Sequence, residues 1–326
     1  MIKKTFYLFS YVILLSCSLW AADGSKDEAK AVVRGKLTPI SDSTIFSYDT
    51  GMGTPGYLHA RLEGRTAKGE AWSARFVDPS DIPFYQGLFN DGEVMAQFGD
   101  GQPRTPESTV DRITKQWLPR SAAGQPHSSL TIFDAKGERI GHVIAGGGDR
   151  AGTSEVAGLG IIGAWSQGYG ESVFYSITEI LVPEVWRIGR GLGLSKSDAD
   201  AAIVKAFQCF GNQPLDQLDA TSSPANVPSW KILLSRGFGP AKCGLDKDAE
   251  GIKLSAGDFA GKADNEIEDY RLMEEYVLRT YFDEKAPRLV AGKRYAFIDH
   301  RGRPWTLSKH ARFNRLKFHL ERTYKF

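Results

Sequence analysis

Cysteine is nearly missing from this 326-residue chain, which carries 3: Cys17, Cys209 and Cys243. That excludes a disulfide-stapled scaffold and leaves at most one bridge, Cys209 to Cys243, if the protein is exported. Cys209 sits in an apolar helical stretch and reads equally as a buried free thiol. Histidine is also sparse, and the 6 residues are scattered, so no Cys/His cluster has metal-ligand spacing and no metal is expected. Charge of one sign is missing overall, since the net charge is +2. Long apolar runs are lacking too: the one from Phe6 to Trp20 is shorter than the ~20 residues of a membrane-spanning helix. With 41% apolar and 25% charged residues, the composition excludes disordered and fibrous classes and fits one or two folded domains.

The N-terminus is set aside first. Lys3 and Lys4 precede the apolar run, and Ala21 and Ala22 follow it, the order of a secretory signal peptide, so residues 1–22 are expected to be a signal peptide or a membrane anchor. Leu14-Leu15-Ser16-Cys17 resembles a bacterial lipobox with Leu15 in place of the usual small residue. Export to the periplasm, the medium or a membrane is the expectation; the other reading is a start assigned too far upstream and a cytoplasmic protein. Residues 23–56 are rich in Ser, Thr, Gly and Asp without a period, and are expected to be an irregular arm.

From residue 57 the pattern becomes regular. Alternation at Tyr57–Leu62 and Ala71–Val77 predicts a hairpin across the turn-rich Glu63–Gly69. Asp78-Pro79-Ser80-Asp81 reads as a helix start, and Thr105-Pro106 as a second. Leu130–Asp134 and Arg139–Ala145, joined by Ala135-Lys136-Gly137-Glu138, predict another hairpin. Val173–Val182 reads as a strand, Ser197–Phe210 as a helix capped by Ser197, Leu215–Ala220 as a strand, and Trp230–Ser235 as a helix ended by Gly237. The fold class is α/β.

Between the strand-like Val173–Val182 and the helix from Ser197 lies Arg190-Gly191-Leu192-Gly193-Leu194-Ser195. Glycines let a backbone turn tightly and bring its N–H groups near an anion, and a following helix adds unpaired donors and the positive end of its dipole. Such a loop suits a pyrophosphate. Gly158-Leu159-Gly160-Ile161-Ile162-Gly163 also fits G-x-G-x-x-G, but no helix is apparent after it, and it is read as a distorted strand or a loop near the substrate.

These segments resemble the GNAT superfamily of N-acetyltransferases over roughly residues 72–241. Pro183-Glu184-Val185-Trp186 followed by Arg190–Leu194 is similar to that family's acyl-CoA loop, of the form Gln/Arg-x-x-Gly-x-Gly/Ala, with Arg190, Gly193 and Ser195 in the three positions. Another register uses Trp186, Gly189 and Gly191. Ala220–Ser229 resembles the family's A-T-x-x-x-N-x-x-S stretch, and Gly237-Phe238 its L-G-F ending. Arg75–Met95, with Gly99-Asp100-Gly101 and Thr105-Pro106-Glu107, resembles the opening of the ribosomal-protein N-terminal acetyltransferase branch.

The resemblance implies a mixed, mainly antiparallel sheet flanked by helices over residues 57–245, with a C-terminal extension over 246–326. It implies acetyl-CoA as co-substrate, held by Arg190, Gly191, Gly193, Leu194, Ser195 and Asn226. An amine, whether a protein N-terminus, a lysine or a small polyamine, would attack the thioester directly in a ternary complex. A backbone amide near Ile180–Val182 would serve the oxyanion. Ser229 would protonate the leaving thiolate, and Glu179 would be the general base, with Glu171 and Glu155 as alternatives. Asn226 reads otherwise as a helix cap and Ser229 as a first-turn helix residue. Trp165, Tyr169, Phe174 and Tyr175 read as core packing or as walls of a cleft.

Beyond that match the chain turns basic, with ten Lys or Arg against Asp299 and Glu321 between Gly292 and Phe326. Ile267–Phe282 reads as an amphipathic helix, Tyr295–Arg303 as a strand and turn, and Leu307–Tyr324 as a basic helix. Such a face would hold an anionic surface or simply pack on the preceding domain. Two functional expectations stand: an active N-acetyltransferase, or a catalytically inactive GNAT-like exported binding protein. The second arises because acetyl-CoA is not expected in a bacterial periplasm; delivery into a host cytosol would reconcile the two.

Overall fold

A computed structural model describes residues 45–49, 59–146, 148, 150–194, 196–224, 226–241, 252–253, 294–298, 304–309 and 316–325. The expected signal segment 1–22, Ser195 and the helix expected over Ile267–Phe282 lie outside the described residues. The strands are β1 (Ile45–Asp49), β2 (His59–Arg65), β3 (Ala71–Phe76), β4 (Ser129–Asp134), β5 (Arg139–Ala145), β6 (Thr153–Gly160), β7 (Gln217–Ser222), β8 (Gly239–Pro240), β9 (Ile252–Lys253), β10 (Arg294–Ile298), β11 (Pro304–Lys309) and β12 (Leu316–Thr323). They form one sheet in the order β1-β2-β3-β4-β5-β6-β7-β12-β11-β10-β9, with β8 also on β12. Neighbours are antiparallel except β6 with β7 and β9 with β10. A mixed, mainly antiparallel sheet flanked by helices is the fold class expected from the sequence.

One face of the sheet carries the helices α1 (Ile82–Asn90), α2 (Gly92–Met95), α3 (Pro106–Arg112) and α4 (Leu118–Ala122), with a π turn at Ile113–Trp117 joining the last two. Asp91 and Thr105 cap α2 and α3 through their side-chain oxygens. Tyr85, Phe89, Met95, Ile113 and Trp117 bury an apolar stripe against Ile144 and Leu159. Beneath them runs a buried polar chain. Thr131 donates to Asp81 at 2.9 Å, Tyr85 meets Thr131 and Ser129 at 3.1 and 3.0 Å, and Ser129 meets His142 Nδ1 at 3.1 Å. Burial alone would raise the Asp81 pKa, but hydrogen bonds from Arg75 and Arg139 outweigh it and hold the carboxyl below its ordinary range.

The other face is covered by α5 (Tyr169–Ser176), a π turn Ile177–Leu181 and α6 (Val182–Gly189), which run on without a break. This corrects the strand expected at Val173–Val182. The segment is β-branched and aromatic by composition, yet the buried Val173, Ile177, Leu181, Val185 and Ile188 recur every three or four residues, with Ile180 and Val182 buried beside Leu181. The π turn ends two residues before Pro183, which has no N–H to give to a helix. Helices α7 (Asp198–Phe207) and α8 (Val227–Ser235) complete the described set.

The C-terminal segment is corrected as well. Leu307–Tyr324 is not a helix: β11 and β12 form an antiparallel pair, and β12 pairs with β7 from Phe318↔Ser222 to Thr323↔Gln217. Phe318 and Leu320 are buried while Lys317, His319 and Glu321 are partly exposed, a period of two that the helical reading missed. Phe318 joins Trp230 and Trp305, with ring centroids 4.9 to 6.0 Å apart. A boundary at residues 245/246 therefore cuts through one sheet. Likewise the arm expected over 23–56 holds a strand, since β1 pairs with β2.

Candidate functional site

Strands β6 and β7 are paired in parallel at only three positions: Thr153↔Gln217, Ser154↔Leu218 and Glu155↔Asp219. Past Glu155, β6 stays on β5 as far as Gly160, and β7 stays on β12 as far as Ser222. The sheet therefore parts along a seam, with Val156–Gly160 on one side and Ala220–Ser222 on the other. Two facing strand edges that do not pair with each other are a template for an extended ligand carrying amide groups.

Directly after β6 the chain passes a 3₁₀ turn, Ile162–Ala164, and enters α5. Ser166 (φ 60°) and Gly168 (φ 88°) take left-handed conformations there, and Gly168 is the N-cap. No side chain caps this helix. Its first N–H groups are backed by the dipole of the helical run to Gly189, and such an uncapped helix start is where an anion would bind best. Gly170 is exposed, and a side-chain carbon placed on it would only touch Ile232 of α8, at 3.5 Å. The turn is fixed from the β2–β3 hairpin. Trp72 Nε1 donates to Ser172 Oγ at 2.8 Å, Ser172 Oγ to the Arg65 carbonyl at 2.8 Å, and Lys68 Nζ to the Ser166 carbonyl at 2.9 Å. Trp165 donates to the Gly160 carbonyl at 3.0 Å and is 42% exposed, with Ile162 beside it at 40%. Trp165 is thus a wall of the turn, whereas Tyr169, Phe174 and Tyr175 pack against the main core.

The loop expected to hold pyrophosphate has a different setting. Arg190–Leu194 follows the C-terminus of α6, not a strand, and so lies at the negative end of that helix's dipole. Four of its five backbone donors are engaged: Arg190 N–H bonds Trp186 O, Gly191 N–H bonds Ile188 O, Leu192 N–H bonds Arg187 O and Leu194 N–H bonds Gly191 O. The positive φ of Gly191 (71°) and Gly193 (79°) serves to end a helix. The Arg190 guanidinium lies 5.0 Å from the centre of the Trp186 ring. At the next helix the Ser197 side chain caps α7, and Asp198 and Asp200 occupy the first turn, where they oppose an anion.

Glu179 stands on the helical run, in the π turn, and not on a strand. Both its carboxylate oxygens accept from Arg322 of β12, which also donates to the Arg236 carbonyl at 2.7 Å. The pair ties this helix to the C-terminal strand. The expected oxyanion amide at Ile180–Val182 is likewise within helix. Asn226 is the N-cap of α8, its side-chain oxygen accepting from Ser229 N–H at 3.3 Å, and Ser229 lies in the first turn, partly exposed. Glu171 is in the first turn of α5, 3.8 Å from Arg236. Glu155 is exposed and sits at the last paired position, where the seam begins.

Sequence reasoning thus missed Trp165–Gly170. The signal was present: these residues fit the same Gln/Arg-x-x-Gly-x-Gly/Ala form as the Arg190 loop, with Trp165 as the departure at the first position and Gly168 and Gly170 at the others. It was passed over because the helix after it was read as a strand.

No family model and no curated protein matches the sequence. Solved structures do. One is a GNAT-family acetyltransferase from Bacillus anthracis, at 14% identity, covering 52% of this chain and 80% of that one, with a TM-score of 0.35. Another is spermidine N-acetyltransferase from Vibrio cholerae in complex with CoA and spermine, at 12% identity, 52% and 82% coverage and a TM-score of 0.35. A third is RimL, a ribosomal L7/L12 α-N-protein acetyltransferase in complex with coenzyme A, at 12% identity, 53% and 82% coverage and a TM-score of 0.37. The chain is similar to GNAT acetyltransferases. Among the described residues no group of three His, Cys, Asp or Glu could hold a metal ion, and no helix is long and apolar enough to cross a membrane.

Proposed function

We propose that this chain is an acetyl-CoA-dependent N-acetyltransferase acting on a primary amine. One observation carries the reading: parallel strands that part after Glu155↔Asp219, followed at once by an uncapped helix start at Gly168–Gly170. The residues present fit the co-substrate. The open edges of β6 and β7 offer backbone groups to the amides of a pantetheine arm, and the first N–H groups of α5 suit its pyrophosphate. Acetyl-CoA would supply an activated thioester carbonyl. Backbone N–H groups of β6 facing the seam would polarise that carbonyl, and Glu155, at the base of the seam, would accept the proton of the attacking amine. Ser229 and Asn226, at the start of α8, would approach the seam from the β7 side. In this reading Arg190, Gly191, Gly193 and Leu194 end a helix, and Glu179 is part of an ion pair.

The test is calorimetric titration of the full chain with acetyl-CoA, followed by acetylation assays on an N-terminal peptide, free lysine and spermidine. Saturable binding with turnover on one of these is the expected outcome. No binding sinks the cofactor assignment, and binding without turnover sinks the enzyme. Export through residues 1–22 is a separate proposal, tested by whether the secreted protein begins after Ala22.

A further inference from the structure

A second cavity, of about 480 Å³, opens at the start of β6, on the far side of the three paired positions from the seam. It falls within the ~300–1,000 Å³ of small-molecule sites. Its walls come from α4 and the chain after it, the first residues of β6, one side of α7 and the turn after α7. None of these residues belongs to the seam or the α5 turn.

Two features mark it as a built site. Ser154 and His127 line it, and Ser154 Oγ is buried with no hydrogen-bond partner among the described residues. Ser154 is 1% exposed and His127 9%. A buried polar atom without a partner costs about 1–3 kcal/mol and is usually explained by a ligand or water. The second feature is charge: Arg120 and Lys205 line the cavity, and no Asp or Glu does. Arg120 gives one guanidinium nitrogen to the His127 carbonyl at 3.2 Å, which fixes the fork in place. Burial, partly offset by the backbone carbonyls of Phe207, Gln208 and Ala145, pushes the His127 pKa down to about 4, so its ring is neutral at pH 7. The cavity does not look built for covalent chemistry. Cys209 lines it, but burial pushes that thiol up to about 11 and its S–H donates to the Gln213 carbonyl at 3.3 Å, so it is not a thiolate. Phe210, 56% exposed, adds an apolar wall.

We propose that this cavity binds a small organic acid, its carboxylate or phosphate held by Arg120, Lys205 and Ser154 and its apolar part set against Phe210. The site stands apart from the acetyl-CoA reading and does not depend on it. Phenyl phosphate, benzoate and benzyl alcohol, titrated into the full chain at fixed ionic strength, test the proposal and separate the two kinds of anion. At least one of the two anions should bind saturably with one molecule per chain, and the neutral alcohol should not. Lys205→Glu should weaken that binding roughly tenfold or more. Ser154→Ala, which deletes an unpartnered buried hydroxyl, should weaken it while melting close to the parent temperature. Binding of neither anion, equal binding of the alcohol, or unchanged affinity in both variants would overturn the site. Acetyl-CoA affinity, measured on the same variants, is expected to stay at the parent value whether or not the anion binds.

Discussion

Two glycine-rich turns lie on either side of the α5–α6 helical run, and they differ in everything except their glycines. At the front, Ser166 and Gly168 bend the chain from a strand into the start of a helix whose first donors carry no side-chain cap. At the back, Gly191 and Gly193 end that run, and the N–H groups of Arg190, Gly191, Leu192 and Leu194 are already bonded. The first sits at the positive end of a helix dipole and the second at the negative end. A left-handed glycine is compatible with either role, so the direction of the adjacent helix decides which turn can receive an anion.

The sharpest way to break this contrast is to put a negative charge at each turn. Gly170→Glu is expected to weaken acetyl-CoA binding by roughly a hundredfold or more, a loss of about 2.7 kcal/mol. The fold should survive, because the added carbon meets Ile232 at ordinary contact distance and an acidic residue suits a first helical turn. Arg190→Glu should bind within about twofold of the parent, as a surface charge outside the site would. If titration calorimetry gives the opposite ranking, the back turn is the phosphate site.

Acid should separate the two faces of the sheet, because the α1–α4 face holds a buried ring. Burial pushes the His142 pKa down to about 3, and its Nε2 has no hydrogen-bond partner among the described residues. The folded pKa lies below the unfolded one near 6.5, so the unfolded chain binds more protons between these values. Stability is complete above about pH 6.5 and falls as pH drops toward 3, by on the order of 1 kcal/mol per pH unit for this ring. His127 adds a similar slope down to about 4. Urea melts at pH 7 and pH 5 should show the loss, and His142→Phe should show a shallower one. Equal slopes in the two proteins would remove His142 from this account. Next in size is Gly168→Ala: at φ 88° a side chain is strained by about 1–2 kcal/mol, which should appear as a lower urea midpoint.

What could be read from the sequence follows the same front-and-back division. The hairpins at 59–76 and 129–145, the caps at Asp78, Thr105 and Ser197, and the Asn226 cap of α8 are local chemistry, and local chemistry was legible. The helical run was not, because Val173, Phe174, Tyr175, Ile177 and Thr178 prefer strands and only burial against the sheet makes them helical. That one misreading directed the expected anion site to Arg190–Ser195, away from the helix start at Trp165–Gly170 proposed above, and placed Glu179 on a strand. Likewise β12 looked helical because its basic residues drew attention from the alternation at Phe318 and Leu320, which matters only once β7 is beside it.

Glu179 and Glu155 offer the finest division, since both carboxylates were candidates for the base and their surroundings now differ. Glu179 is 30% exposed and bonded through both oxygens to Arg322, which is 19% exposed. Glu179→Gln keeps the shape but replaces an ion pair by a weaker amide contact, so it should lower stability by about 1 kcal/mol. The pH dependence of acetylation should stay that of the parent, because both oxygens of this carboxylate are held by Arg322. Glu155→Gln should do the reverse. Glu155 is exposed, and loss of the proton acceptor should slow turnover and remove the acid limb of the pH–rate profile. Chemical melts together with rate profiles decide the matter: an altered profile in Glu179→Gln with an intact one in Glu155→Gln would return the base to the helix.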